Sequence, residues 1–165
     1  MIGTTIDLRT FFNKEIMVQL RESVAFTSMA EFIEKIPYDK VGIRPKPLPY
    51  SFFEVFSHIV QTQQDLMDFT MASAYHPVEW PAGVWPGKAA PDNEQEWKGL
   101  KARFFRQHDE LEKFLAADHT ALDALVKHAD QDHQTLLREL LLMVSHYAYH
   151  TGQLYVIARL LGAVK

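Results

Sequence analysis

The chain has 165 residues, 47% of them hydrophobic, a formal net charge of −4 and no cysteine. That length suits one domain around one core, and an acidic balance without blocks of like charge lacks the basic footprint of a protein that binds nucleic acid or anionic membrane. The missing cysteines exclude disulfides, a thiol nucleophile and every thiolate zinc site, so any metal must be held by imidazole and oxygen ligands.

The N-terminal Met1-Ile2-Gly3-Thr4-Thr5-Ile6-Asp7 lacks the basic and apolar regions of a signal peptide, and the apolar run at 136–144 is too short to span a bilayer. A cytoplasmic location is therefore expected. From about Asp7 to Ile36, apolar residues recur at three- and four-residue steps, as in Ile16, Leu20 and Val24, then Met29, Phe32, Ile33 and Ile36. This spacing predicts a first helix, ended by Pro37, and Pro37, Pro45, Pro47 and Pro49 then impose an extended connection to Tyr50.

Ser51-Phe52-Phe53-Glu54 has the spacing of a capping box and opens a second helix that runs to about Ala72. His58 falls there on a stripe with Glu54, Thr62 and Asp65, on the border between an apolar and a polar side, where a residue facing a wet pocket inside a bundle would lie. Residues 73–92 show no helical period and carry His76, Trp80 and Trp85 among several prolines and glycines. So long a connection is functional or a necessary crossover, and its tryptophans either wall a substrate pocket or cover a bundle end.

Asp92 or Asn93 can cap a third helix, continued by Trp97, Leu100, Phe104, Leu111 and Phe114 to about Ala117. Residues 118–130 read as an irregular link with one helical turn around Ala121–Val126. A fourth helix is expected from near Asp130 to about Leu161, with Gly162 to end it. On its wheel Glu139, Met143, His146, His150, Gln153 and Ile157 share one stripe, and Leu137, Leu141, Val144, Ala148 and Tyr155 share the opposite one. A helix apolar on both sides is buried on both sides; one face is assigned to the core and the other to a partner subunit, which predicts a homodimer.

His146 and His150, four apart on a helix, lie on one face one turn apart and can share a metal ion. His58 sits roughly 10 Å from the start of its helix, and the pair lies roughly 16–23 Å from the end of the fourth, so antiparallel packing of these two helices brings all three nearest to one level. That arrangement is the up-down-down-up four-helix bundle, whose second and third helices need a long crossover, here residues 73–92. Three converging imidazoles leave a coordination position open, as catalytic sites require, and zinc, nickel, iron and copper all accept such ligands. Gln153 and Glu139 are candidates to act on a ligand or a bound water, and Glu139, Glu54 and Asp65 to support the metal ligands from behind. Tyr147 follows His146 where a zinc protease would place its glutamate, so peptide hydrolysis gains no support. His76, His108, His119, His128 and His133 are expected to be solvated, with His76 on a loop able to fold over the site.

The run His146-x-x-x-His150-Thr151-Gly152-Gln153-Leu154 in the last long helix, joined to Phe56-Ser57-His58-Ile59 in the second, resembles the DinB/YfiT-like family of metalloenzymes, and the likeness covers nearly the whole chain. The resemblance implies an all-α four-helix bundle of up-down-down-up connectivity spanning residues 1–165 as a single domain, frequently dimeric, with a divalent metal (Zn, Ni or Fe) on His58, His146 and His150. It also implies thiol-S-transferase chemistry with a low-molecular-weight thiol on small electrophiles; a metal that activates water instead would make a hydrolase. Members often carry arginine after the final histidine, where this chain has Thr151, which removes any anion contact by that arginine. The alternative is a catalytically silent helical dimer that binds a small ligand or a protein partner and keeps a structural metal.

Overall fold

A computed structural model describes residues 7–22, 25, 27–117 and 121–164. They form five α-helices: α1 (Leu8–Arg21), α2 (Met29–Lys35), α3 (Phe52–Met71), α4 (Glu94–Ala117) and α5 (Leu136–Leu160). Among the described residues the only β feature is an isolated antiparallel bridge between Leu125 and Thr135.

The expected single helix over Asp7–Ile36 is two helices. Asp7 caps α1 by accepting from the backbone of Arg9 and Thr10, and α1 ends after Arg21. Ser28 then adopts an extended conformation and its side chain accepts from Glu31 N, so it starts α2 afresh. Apolar spacing continues through the break because both pieces bury the same kind of face, Ile16 and Leu20 on α1 and Met29, Phe32 and Ile33 on α2. Val24, part of that expectation, lies outside the described residues.

At the start of α3 the capping box forms: Glu54 N donates to Ser51 Oγ and Ser51 N to the Glu54 carboxylate at 2.8 Å. Arg44 clasps the same carboxylate with two nitrogens, and Ser51 Oγ donates to the carbonyl of Ala89. Gly42 packs so closely on this second segment that a Cβ there would sit 2.3 Å from Ala90 Cβ. The N-terminus of α3 is thus where the 41–44 segment and the end of the 73–92 connection are tied down.

Asn93 caps α4 by accepting from Glu96 N at 2.9 Å. The last helix starts six residues later than expected. Val126 N bonds Gln134 O and Leu136 N bonds Ala124 O, so residues 122–136 fold back as a small hairpin rather than as helix. Ala121–Val126 accordingly holds a turn and no helical segment, and Thr135 caps α5 by accepting from Arg138 N. At the other end Gly162, at φ 65°, closes α5: its N–H bonds Arg159 O and that of Ala163 bonds Ala158 O.

The helices meet in defined directions. Phe52 and Phe56 contact Trp97, Phe56 contacts Phe104, and Gln107 donates to Val60 O and Gln64, so α3 and α4 run the same way. Asn13 donates to Leu115 O while Arg21 pairs with Asp109 and Glu112, so α1 opposes α4. His58 meets His146 while Thr70 and Met71, at the far end of α3, line a cleft with Leu136, so α3 opposes α5. α1 also packs on α5, closing the set, and α2 leans on α5 through Phe32 and Tyr155. Phe52, Phe56, Phe104, Leu140 and Leu154 are among the side chains removed from solvent in the centre.

Candidate metal centre

Two helices bring three histidines together. His58, on the second turn of α3, has its Nε2 3.1 Å from His146 Nε2, and its ring centre is 4.7 Å from that of His150. One nitrogen from each of the three lies within 4.8 Å of the others. Ligand nitrogens about 2.0–2.1 Å from a tetrahedral zinc stand about 3.3 Å apart, so the His58–His146 spacing is already that of a shared ion.

The outer nitrogens are held as well. His58 Nδ1 is 3.1 Å from the Val84 carbonyl and 3.4 Å from Thr62 Oγ1, and His150 Nδ1 is 2.7 Å from Gln153 Oε1. A carbonyl oxygen only accepts, so the Nδ1 of each imidazole carries the proton and its Nε2 lone pair is left for the cluster. Trp85 stacks on His58 with ring centres 4.1 Å apart and planes 7° from parallel. Trp80, 66% exposed, stands 6.3 Å from the same ring, and Tyr149, also 66% exposed, meets His150 edge-on at 4.8 Å. The 73–92 connection therefore lies against the cluster, and aromatic rings surround it.

Burial dominates the electrostatics. It lowers His58 to about 4, with Val84 opposing and His150 adding to the shift. His146 falls to about 3, through burial and then repulsion from His150 and His58, and burial likewise lowers His150 against the Gln153 bond. Neutral imidazoles at pH 7 are what a metal requires of its ligands. The donor set, its spacing and the held Nδ1 atoms fit a divalent transition metal.

Other candidates part from the cluster. Glu139 is buried and paired with Arg138, about 10 Å along the α5 axis from His146. Glu54 is used by Ser51 and Arg44, and Asp65 accepts from Tyr75 at 3.1 Å, so neither supports a histidine. Thr151 is buried, its hydroxyl donating to Tyr147 O. His76 is exposed and outside the cluster, as is His133; His128 bonds Ala72 O. His108, expected in solvent, is 2% exposed, packed on Phe104 and near Tyr147, because its face of α4 turns inward. His119 lies outside the described residues. The Val84 carbonyl was not foreseen; a backbone acceptor leaves no residue-type signal.

An all-helical chain with a three-histidine cluster between two helices is the class that fold and site define. The sequence matches the DinB superfamily over residues 24–154, a span that contains all three histidines, and the chain belongs to that superfamily. No curated protein and no solved structure matches it.

Proposed function

We propose that this protein is a metal-dependent enzyme, a transferase that joins a low-molecular-weight thiol to a small electrophile. His58, His146 and His150 would hold a divalent metal, zinc, nickel or iron, in one helical domain over residues 1–165. The observation that carries the reading is the cluster itself, three neutral imidazoles with two Nδ1 atoms engaged by Val84 and Gln153. A metal with an open position acidifies a bound thiol and presents it as a nucleophile. Gln153 orients His150, Val84 orients His58, and Trp80, Trp85 and Tyr149 offer apolar surface to the body of a substrate while displacing water from it.

The helix directions support an up-down-down-up four-helix bundle of α1, α3, α4 and α5, in which α2 continues the first arm and residues 73–92 carry the crossover. Leu141, Leu142, Val156 and Leu160 expose an apolar face on α5, which supports a homodimer through that helix. No helix among the described residues is long and apolar enough to cross a membrane, in keeping with a cytoplasmic location.

Elemental analysis of protein purified without a nickel column tests the ligand set. About one equivalent of a transition metal is expected in the parent and less than about 0.2 in His146→Ala/His150→Ala; equal contents would sink the assignment. Turnover of a panel of electrophiles with biological thiols by the metal-loaded protein tests the reaction. Failure with every pair, together with a large loss of stability on metal removal, would replace it with the silent dimer holding a structural metal.

A further inference from the structure

On the side of α3 next to His58, the hydroxyl of Ser57 is buried without a hydrogen-bond partner. The same residue lines a cleft of about 310 Å³ together with Pro86, Gly99, Leu100, Arg103 and Arg106. Neither guanidinium makes a hydrogen bond or an ion pair among the described residues. Asp68, the carboxylate that Arg103 feels, accepts instead from Gln64. Lys88 and Glu96, also in the lining, neutralise each other at 2.8 Å. Two positive charges without an ion pair, three residues apart on one helix face, thus border an open cleft in a protein of net charge −4.

Gly99 is the second observation. It sits inside α4, where glycine weakens a helix relative to alanine. Packing does not require it, because a Cβ at this position would meet nothing within 4 Å. What its missing side chain does is leave the cleft open one turn before Arg103, on the helix face that carries both arginines.

We propose that this cleft binds the oxyanion group of a small molecule, a phosphate or a carboxylate, between the Arg103 and Arg106 guanidiniums and the Ser57 hydroxyl. Planar, forked guanidinium donors match such an anion, and the hydroxyl supplies the donor that the burial of Ser57 otherwise wastes. Phe53 and Leu100 give its organic part an apolar wall. Pro86 directly follows Trp85, which stacks on His58, so the anion rests against the same segment that covers the histidine cluster.

Amide chemical shifts of the isotope-labelled, metal-free protein test this independently of the metal reading. Inorganic phosphate, phenyl phosphate and benzoate are titrated at constant ionic strength against chloride. Saturable shifts are expected at Ser57, Gly99, Leu100 and Arg103 with phosphate, benzoate or both, and the stronger arm names the anion. Arg103→Gln should weaken binding about tenfold or more, the loss of a charge-assisted contact. Gly99→Leu should abolish it while melting no lower than the parent, since the side chain enters open space on a helix. Shifts that chloride reproduces, that do not saturate, or that survive both substitutions would overturn the proposal.

Discussion

Replacing Gln153 by leucine isolates the contribution of a residue that touches a candidate ligand without being one. The bond it removes is the 2.7 Å contact from His150 Nδ1 to Gln153 Oε1, on a histidine that is 6% exposed. Leucine has similar bulk and no acceptor, so the buried Nδ1–H loses its partner. A buried donor without a partner costs about 1–3 kcal/mol. Lost orientation of a metal-ligating histidine typically costs 10–100-fold in affinity, about 1.4–2.7 kcal/mol. Competitive titration of the metal-free protein with zinc against a chelating dye should therefore show an affinity about 10–100-fold weaker for Gln153→Leu. Gln153→Glu keeps the acceptor and makes the imidazole a better donor to the ion, so its affinity should equal or exceed that of the parent, and His76→Ala should bind within about twofold, as a substitution outside the centre. Zinc binding by Gln153→Leu within twofold of the parent would refute the claim that this bond orients His150.

Three other outcomes are expected. His108 is lowered to about 4 by burial, with Arg21 adding to the effect and Asp109 opposing it, against 6.5 in the unfolded chain; the unfolded state thus takes up a proton first, and stability is lost as pH falls from about 6.5 to 4. The shift is worth about 3 kcal/mol, so urea denaturation of His108→Leu at pH 7 and pH 4 should show it losing about 3 kcal/mol less than the parent, and parallel losses would contradict this. Because Trp85 lies 4.1 Å over His58 and Trp80 stands 6.3 Å from it, zinc should change the tryptophan fluorescence of the parent and leave that of Trp80→Phe/Trp85→Phe nearly unaltered; an equal response in both would place the ion elsewhere. Gly42→Ala forces a methyl to within 2.3 Å of Ala90 Cβ, and thermal unfolding should register a loss of about 1–3 kcal/mol, whereas an unchanged melting temperature would mean that the two segments part freely.

How much of this was legible in the sequence depended on whether a local rule governed each element. The start of α3 was readable because Ser51 and Glu54 satisfy each other within four residues. The three histidines were found because two share a helical face and the third lies on a border stripe, both properties of periodicity. The break before α2 was missed although Ser28 and Glu31 carry the spacing of a cap; uninterrupted apolar spacing outweighed it. The late start of α5 depends on Leu136 N and Leu137 N reaching back to Ala124 O and Leu122 O, pairings that no window of sequence displays. Glu139 shares the stripe of His146, yet its carboxylate is taken by Arg138 beside it, and a wheel shows direction but not level along the axis. His108 was misplaced because a histidine among charged residues reads as solvated, whereas its face of α4 packs on Phe104.

The connection between α3 and α4 is fastened at three points: Tyr75 to Asp65, Val84 and Trp85 to His58, and Ala89 to Ser51. Between the first two fasteners, residues 76–83 carry the exposed Trp80 beside the histidines while supplying none of them. Substitutions of the exposed side chains in that span can reshape what approaches the centre while the Val84 carbonyl still holds His58. Val84, Trp85, Ala89 and Ala90 lack this freedom, since they touch His58, the Ser51 cap of its helix or Gly42 beside that cap. Under the proposed function, relatives that share the three histidines would diverge in substrate through the exposed side chains of residues 76–83, and those are the positions to randomise when a new acceptor is sought.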